Sequence, residues 1–430
     1  IAVGLYAWKG LWRPLREDKA TDFFINYTSA TVLAHGGNIY DAATLRETSR
    51  TVDPDLVGWD FSALFCTYIT PPINAILLLP LVPLGFERAR TAYLLLNNLL
   101  LLSSAAIILQ ARRAHRLPPY QYAVILVLLF TLDPVYVGLE LGQVDLAVLL
   151  LIAVSFWGYK RGADIIVGIC LALATLIKLS PAVLLIYMLW KRELSVVVSA
   201  MLTLLLAGIL SWLVVGREAT LFFGTSVLPA LLKGSAFFQN QSLNGFFNRL
   251  FVDPHIFYSL KEFPSIPQAR ILTALASLAL VCIAAFVTRE RSSRESLTAD
   301  LEFSLAVVII LLASSISWEH YFSWLLLPFL VLLSAGLTKH LTGRKYLRVV
   351  LPAFLAYLTM VIPSSLYGMT LQSSTVSQSA RIGLTLLLSL RTYGALLLYS
   401  SLVCLLARRA PGEDDEATWH IGDDTGETCL

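Results

Sequence analysis

Three ionisable side chains stand at breaks between apolar stretches, and each could handle a proton or an anion. Asp22 lies in Thr21-Asp22-Phe23-Phe24-Ile25-Asn26-Tyr27, just ahead of an apolar-faced helical segment. An aspartate there is commonly an N-cap that satisfies free backbone N–H groups. Its other chemistry is that of a general base, taking the proton of an attacking hydroxyl. Lys178 lies in Ala174-Thr175-Leu176-Ile177-Lys178-Leu179-Ser180-Pro181. A lysine flanked by apolar helix costs roughly 2.5–3.5 kcal/mol on insertion scales. Either it snorkels to an interface, or, with Ser-Pro close behind, it binds an anion in a short turn. Trp318-Glu319-His320-Tyr321 falls where one apolar helix ends and another begins. An interfacial aromatic belt accounts for Trp318 and Tyr321, but not for Glu319 and His320. A protonated imidazole would neutralise a leaving phosphate, and a neutral one would accept a proton.

Two polar runs accompany them. Gln239-Asn240-Gln241-Ser242-Leu243-Asn244 precedes Arg249 in an aromatic loop, and Gly142-Gln143-Val144-Asp145 forms a second knot. Amides among aromatic rings suit sugar hydroxyls and C–H faces, although a plain polar loop reads the same way. Walker A, GxGxxG, HExxH and GxSxG patterns are absent, and no basic stripe points to nucleic acid. Five cysteines are scattered without a CxxC pair; Cys170, Cys282 and Cys404 sit in apolar blocks as core residues.

The elements that must position these groups are membrane helices. Of 430 residues, 57% are hydrophobic and only 14% charged, against about 25% charged in a soluble domain. Tyr93–Leu109, Tyr122–Leu132, Leu194–Val215, Ile271–Val287 and Leu384–Leu406, the last interrupted by Arg391, approach or reach a crossing of about 20 residues. None alternates with period two, which argues against a β-barrel. Basic clusters at Arg112/Arg113/Arg116, Lys160/Arg161, Lys191/Arg192, Arg289/Arg291/Arg294, Lys339/Arg344/Lys345/Arg348 and Arg408/Arg409 alternate with the polar connections. The positive-inside rule makes the clusters cytoplasmic and the connections external. Two apolar stretches near Ile69–Leu84 and Tyr93–Leu109 would break this alternation if both crossed; either one is partial or Arg112 is external. We expect an all-α polytopic membrane protein of about 11–13 crossings. A single domain spans 1–410, with external loops 9–68 and 216–268, and amphipathic segments at Phe23–Ala34 and Ala42–Ser49 in the first loop. An acidic cytoplasmic tail over 411–430 holds seven acids and no Lys or Arg, too polar to bury a core. The opening Ile1–Trp8 reads as the end of a helix rather than a signal peptide.

The set Asp22-Phe23, Tyr40-Asp41, Tyr68 through Pro71-Pro72, Gly142-Gln143, Lys178-Leu179-Ser180-Pro181, Asn240-Gln241-Ser242-Leu243 and Ser317-Trp318-Glu319-His320 resembles the GT-C polyprenyl-phosphate-mannose-dependent mannosyltransferases, and most closely glycosyltransferase family eighty-seven. The resemblance runs from about Asp22 to about Leu330. It implies a GT-C fold and an inverting transferase with its site outside the cytoplasmic membrane. The donor would be a polyprenyl-phosphate sugar, usually mannose, and the acceptor a hydroxyl of a glycolipid or glycan. Asp22 matches the family's base, and His320 its histidine after Ser-Trp, offset by Glu319. Lys178, His320 and, more weakly, Arg249 are the candidates for the donor phosphate. Tyr27, Tyr40, Tyr68, Gln143, Asp145, Asn240, Gln241, Asn244, Trp318 and Glu319 are the candidates for the substrates. Asp145 departs from the asparagine frequent at that place. A direct displacement needs no nucleophilic side chain, and a phosphate leaving group obliges neither metal nor cofactor. The competing function is a transporter or flippase of a lipid-linked sugar, which should carry repeat symmetry not visible here.

Overall fold

Apolar helices can satisfy their backbones internally and still need somewhere to put their side chains: on one another, or in lipid. The structure, a computed structural model, describes residues 2–16, 20–53, 68–112, 119–259, 266–337, 343–369 and 381–407. The acidic tail and the basic residues Arg113, Arg116, Lys339, Arg408 and Arg409 lie outside these. The regular elements of the described residues are all helices, with one isolated antiparallel bridge between Asn240 and Trp318 and no strand.

One helix is enclosed on all sides. Leu297–Ala313 buries every residue from Ala299 to Leu312, Asp300 and Glu302 near its start included. It packs against Ala182–Trp190, Leu326–Leu337 and Leu390–Leu406. At the periphery, Leu194–Val215 and Pro267–Val287 turn Leu202, Leu206, Leu213, Leu275 and Phe286 outward. Apolar surface on that scale belongs against lipid. Gly168 lets Asp164–Ile177 approach Leu194–Val215 closely: a Cβ there would lie 2.5 Å from the Val196 carbonyl oxygen. Small residues serve this purpose in membrane helix pairs.

Several of the apolar helices are short or bent. Among the described residues three helices are long and apolar enough to span a membrane: Phe86–Ala111, Leu194–Val215 and Pro267–Val287. Two bent pairs, Tyr120–Leu129 with Asp133–Leu141 (48°) and Arg381–Leu387 with Leu390–Leu406 (55°), bring the number to five. Ile73–Leu84, Asp164–Ile177, Glu319–Ala335 and Val349–Val361 are apolar but shorter. The shortening has a local cause, because the Lys178 turn and the segment at Ser317–His320 interrupt helices where polar groups must converge.

The charges sort to the two ends of the bundle. At one end the first turns of Leu297–Ala313 present Asp300 to Arg112 and Lys160, and Glu302 to Lys191 at 2.9 Å. Arg294 adds a pair with Asp164 at 2.6 Å and one with Glu193. Arg112 therefore belongs with Lys160, Lys191 and Arg294. The stretch Ile73–Leu84 is the partial one: its Asn74 amide donates to the carbonyl of Ile177 (3.0 Å), and Val82 accepts from Tyr27, so it stays at the opposite end.

Asp300 has no exposed side-chain surface and serves two cations. Asp300→Ala should cost about 3–5 kcal/mol, the penalty of stranding buried charge, and lower the thermal midpoint in detergent markedly. Arg289→Ala, which removes an exposed 3.8 Å pair with Glu290, should shift it little. Equal shifts would mean that the buried network carries no special weight.

Candidate active site

The end opposite this network gathers the residues singled out above. Asp22 sits in the first turn of Thr21–Ala34, but the residue before that helix is Ala20 and no side chain caps it. The N-cap reading of Asp22 is therefore corrected: its carboxylate turns away from its own helix and accepts a hydrogen bond from the Gln143 amide. The neighbouring Phe23 fixes the approach. It is 1% exposed and stacks on Tyr93 at 4.8 Å between ring centroids, a burial worth about 1.5–3 kcal/mol. Tyr93 in turn donates to the Gln143 carbonyl at 3.4 Å.

Gly142 makes this approach possible. It ends Asp133–Leu141 in the left-handed region (φ 68°), and a Cβ there would lie 2.5 Å from Phe23 Cβ. Only glycine meets both demands at once. The turn then sends Gln143 toward Asp22 and starts Asp145–Lys160 with Asp145 at its head.

Lys178 occupies the break between Asp164–Ile177 and Ala182–Trp190. Its ammonium donates to both oxygens of Asp145, at 2.9 and 3.0 Å, and approaches Gln143 Oε1 at 3.5 Å. The Tyr321 ring lies beneath it, 3.6 Å to the centroid, a cation–π contact. Lys178 does not snorkel; it is buried and paired. His320 Nε2 lies 3.6 Å from Asp145 Oδ2, beyond hydrogen-bond reach, and has no partner among the described residues. Trp324 Nε1 donates to the Asp145 carbonyl at 3.0 Å and locks the turn after His320 onto the same helix. A connected line results: Asp22, Gln143, Lys178, Asp145, His320.

Asp22 keeps part of its surface open, yet its carboxylate is raised from the usual range to about 6. Removal from water is the largest cause. The Gln143 hydrogen bond and the positive charge of Lys178 oppose it, and Asp145 adds a smaller upward push. A carboxylate so placed is ionised at neutral pH and basic enough to take a proton.

The other sequence candidates have protein partners. Tyr27, Tyr40 and Tyr68 donate to the carbonyls of Val82, Thr70 and Pro71 at 2.9, 2.8 and 3.2 Å. They brace the first loop. Asn240 holds Ser235 and Ser315 carbonyls through Nδ2 and the Ser317 amide through Oδ1. Gln241 binds Phe238 and Leu388 carbonyls, and Asn244 Oδ1 accepts from Asn248 at 2.8 Å. Trp318 bridges Asn240 and meets Phe237 edge-on. Buried Glu319 gives its carbonyl to Arg391 at 3.3 Å. These positions form a clamp that holds the His320 segment. Arg249, a candidate phosphate ligand in the sequence, is fully buried and donates to Phe237 and Asn240 carbonyls and to Ser389 Oγ. Arg391 and Asp133 stand outside the sequence candidates but pair under the same segment. Arg391, fully buried, bonds Asp133 at 2.5 Å beneath the Glu319–His320 turn. Its one signal was a charge interrupting an apolar run.

With this geometry in place, comparisons with known proteins become informative. The model of glycosyltransferase family 87 matches residues 68–315. That span holds Gln143, Asp145 and Lys178, starts after Asp22 and stops five residues short of His320. A similar protein is the polyprenol-phosphate-mannose-dependent alpha-(1-2)-phosphatidylinositol pentamannoside mannosyltransferase of Mycobacterium tuberculosis (strain CDC 1551 / Oshkosh). It is 29% identical over 218 residues, 50% of this chain and 46% of that protein. The match thus spans less than half the relative's length. Crystal structures of ArnT from Cupriavidus metallidurans, bound to undecaprenyl phosphate and in the apo state, align at TM-score 0.45 and 14% identity. Both alignments cover 94% of this chain, with 75% of ArnT in the first and 74% in the second.

Gly142→Ala should cost about 2–5 kcal/mol, combining left-handed backbone strain with overpacking against Phe23. Gly208→Ala, inside Leu194–Val215 with open space around it, should be neutral or gain up to about 1 kcal/mol. Thermal midpoints in detergent check both; a Gly142→Ala protein as stable as the parent would remove Gly142 as the pivot of the site.

Proposed function

The chain belongs to glycosyltransferase family 87, and from that premise we propose that it moves a sugar, mannose first, from a polyprenyl-phosphate donor to an acceptor hydroxyl. The acceptor is a glycolipid or glycan outside the membrane. The observation that carries this reading is the line from Asp22 through Gln143 to Lys178, with Asp145 and His320 beyond. A desolvated base stands at one end, and groups suited to an anion stand at the other. The relative's mannose dependence supports the donor. The site lies at the end of the bundle away from Arg112, Lys160, Lys191 and Arg294. By the positive-inside rule that end faces out of the cytoplasm, in a multi-pass arrangement.

The proposed step is a single displacement. The acceptor O–H loses its proton to Asp22 as its oxygen attacks the anomeric carbon. The bond from that carbon to the phosphate oxygen breaks, and configuration inverts. One negative charge leaves Asp22 and one arrives on the departing lipid phosphate, so the total is unchanged. Gln143 touches both the base and the lysine and so fixes the direction of approach. Lys178 and His320 Nε2 answer the charge where it develops.

Because Asp22 must be ionised to act, kcat/KM should rise with pH and level off above about 6. Asp22→Asn, nearly isosteric, should reduce transfer at least about 10²-fold, the lower end of general-base contributions, while donor binding persists. Transfer of radiolabelled mannose from polyprenyl-phosphate-mannose, in membranes bearing either protein, measures both. Undiminished transfer by Asp22→Asn would dismiss the base. If no lipid-linked sugar is transferred by a folded wild-type protein, the transporter reading replaces the enzyme.

A further inference from the structure

Lys178, the cation offered to the leaving phosphate, already has an anion. Two of its three N–H donors point at Asp145 Oδ1 and Oδ2, 2.9 and 3.0 Å away, and Gln143 Oε1 stands 3.5 Å from it. The same carboxylate comes within 3.6 Å of His320 Nε2, which is buried and has no hydrogen-bond partner among the described residues. Asp145 thus lies between the two groups that would receive a phosphate oxygen. A carboxylate and a phosphate present the same kind of acceptor to an ammonium, and Lys178 lacks the donors to serve both fully.

We infer that Asp145 is a resident anion that competes with the lipid phosphate for Lys178 and so governs release of the polyprenyl-phosphate product. The inference rests on the donor class proposed above. A donor phosphodiester carries one negative charge, whereas the product monoester carries about 1.5–2 at neutral pH. With Lys178 and His320 alone, the product would hold more tightly than the donor and stall the site. Asp145 evens the contest. Its own charge repels the monoester more than the diester, so the paired lysine no longer favours the product. Because it acts through Lys178, Asp145 is a positioning residue for the reaction.

Binding of undecaprenyl phosphate to purified full-length protein, by scintillation proximity, tests this in wild type, Asp145→Asn and Asp145→Asn/Lys178→Gln. Asp145→Asn should bind at least about tenfold tighter, with product inhibition rising in step and kcat and the donor KM falling together as release slows. The double variant, with no cation to capture, should bind more weakly than wild type. Asp145→Asn strands a buried lysine and so threatens folding; undecaprenyl phosphate present during extraction should then restore its thermal midpoint by supplying the missing anion. Unchanged or weaker binding by Asp145→Asn, or no restoration of its midpoint, overturns the inference and leaves the donor reading standing. If folded wild type binds neither undecaprenyl phosphate nor polyprenyl-phosphate-mannose, the donor reading itself falls, and the inference with it.

Discussion

A lysine ammonium stripped of water inside an apolar bundle must find a counter-charge, and the shape of this site follows from how Lys178 does so. Two short helices meet at Lys178 and leave it buried, facing the first residue of Asp145–Lys160. Breaking such a pair costs about 3–5 kcal/mol, so the helix starting at Asp145 cannot slide or rotate without losing it. That constraint carries outward. Gln143, two residues earlier, is delivered to Asp22; Trp324, on the Asp145 carbonyl, brings the His320 segment in. Four stretches far apart in the chain are thereby set in register by one ion pair.

The rest of the chain around the site supports it. The amide-rich loop closes on Ser315–Ser317 and on the bend at Leu388–Arg391, so the His320 turn is held from both sides. Buried amides that satisfy backbone carbonyls confer rigidity in a low dielectric. Asp22, Asp145 and Lys178 accordingly sit at helix ends, and the loops immobilise the segment that faces them.

Much of this was legible in the sequence, for a definite reason. Asp22, Lys178 and His320 stood out because ionisable groups at the edges of apolar runs are costly and seldom idle. Gly142-Gln143 could be paired with them because all fall on one side of the alternating basic clusters. The role of Asp22 was less legible, since an aspartate entering a helix looks like a cap whichever way its carboxylate turns. The partners of Asn240, Gln241 and Arg249 are no more legible. An amide or guanidinium reads alike whether its partner is a sugar hydroxyl or a backbone carbonyl 75 residues away. Asp133 and Arg391 are 258 residues apart, and no local spacing announces such a pair. The bends are not legible, because hydropathy reports composition along a run and not the breaks that polar convergence imposes.

The enclosed helix Leu297–Ala313 has a charged cluster at its start and leads into the His320 segment after its end. Its 17 residues make a strut of about 25 Å. Neither end can retreat: one is locked by Asp300 and Glu302, the other by the clamp on Ser315 and Ser317. The protein therefore carries its own gauge of hydrophobic thickness. A bilayer much thicker than the strut must thin around the bundle or let the whole body tilt.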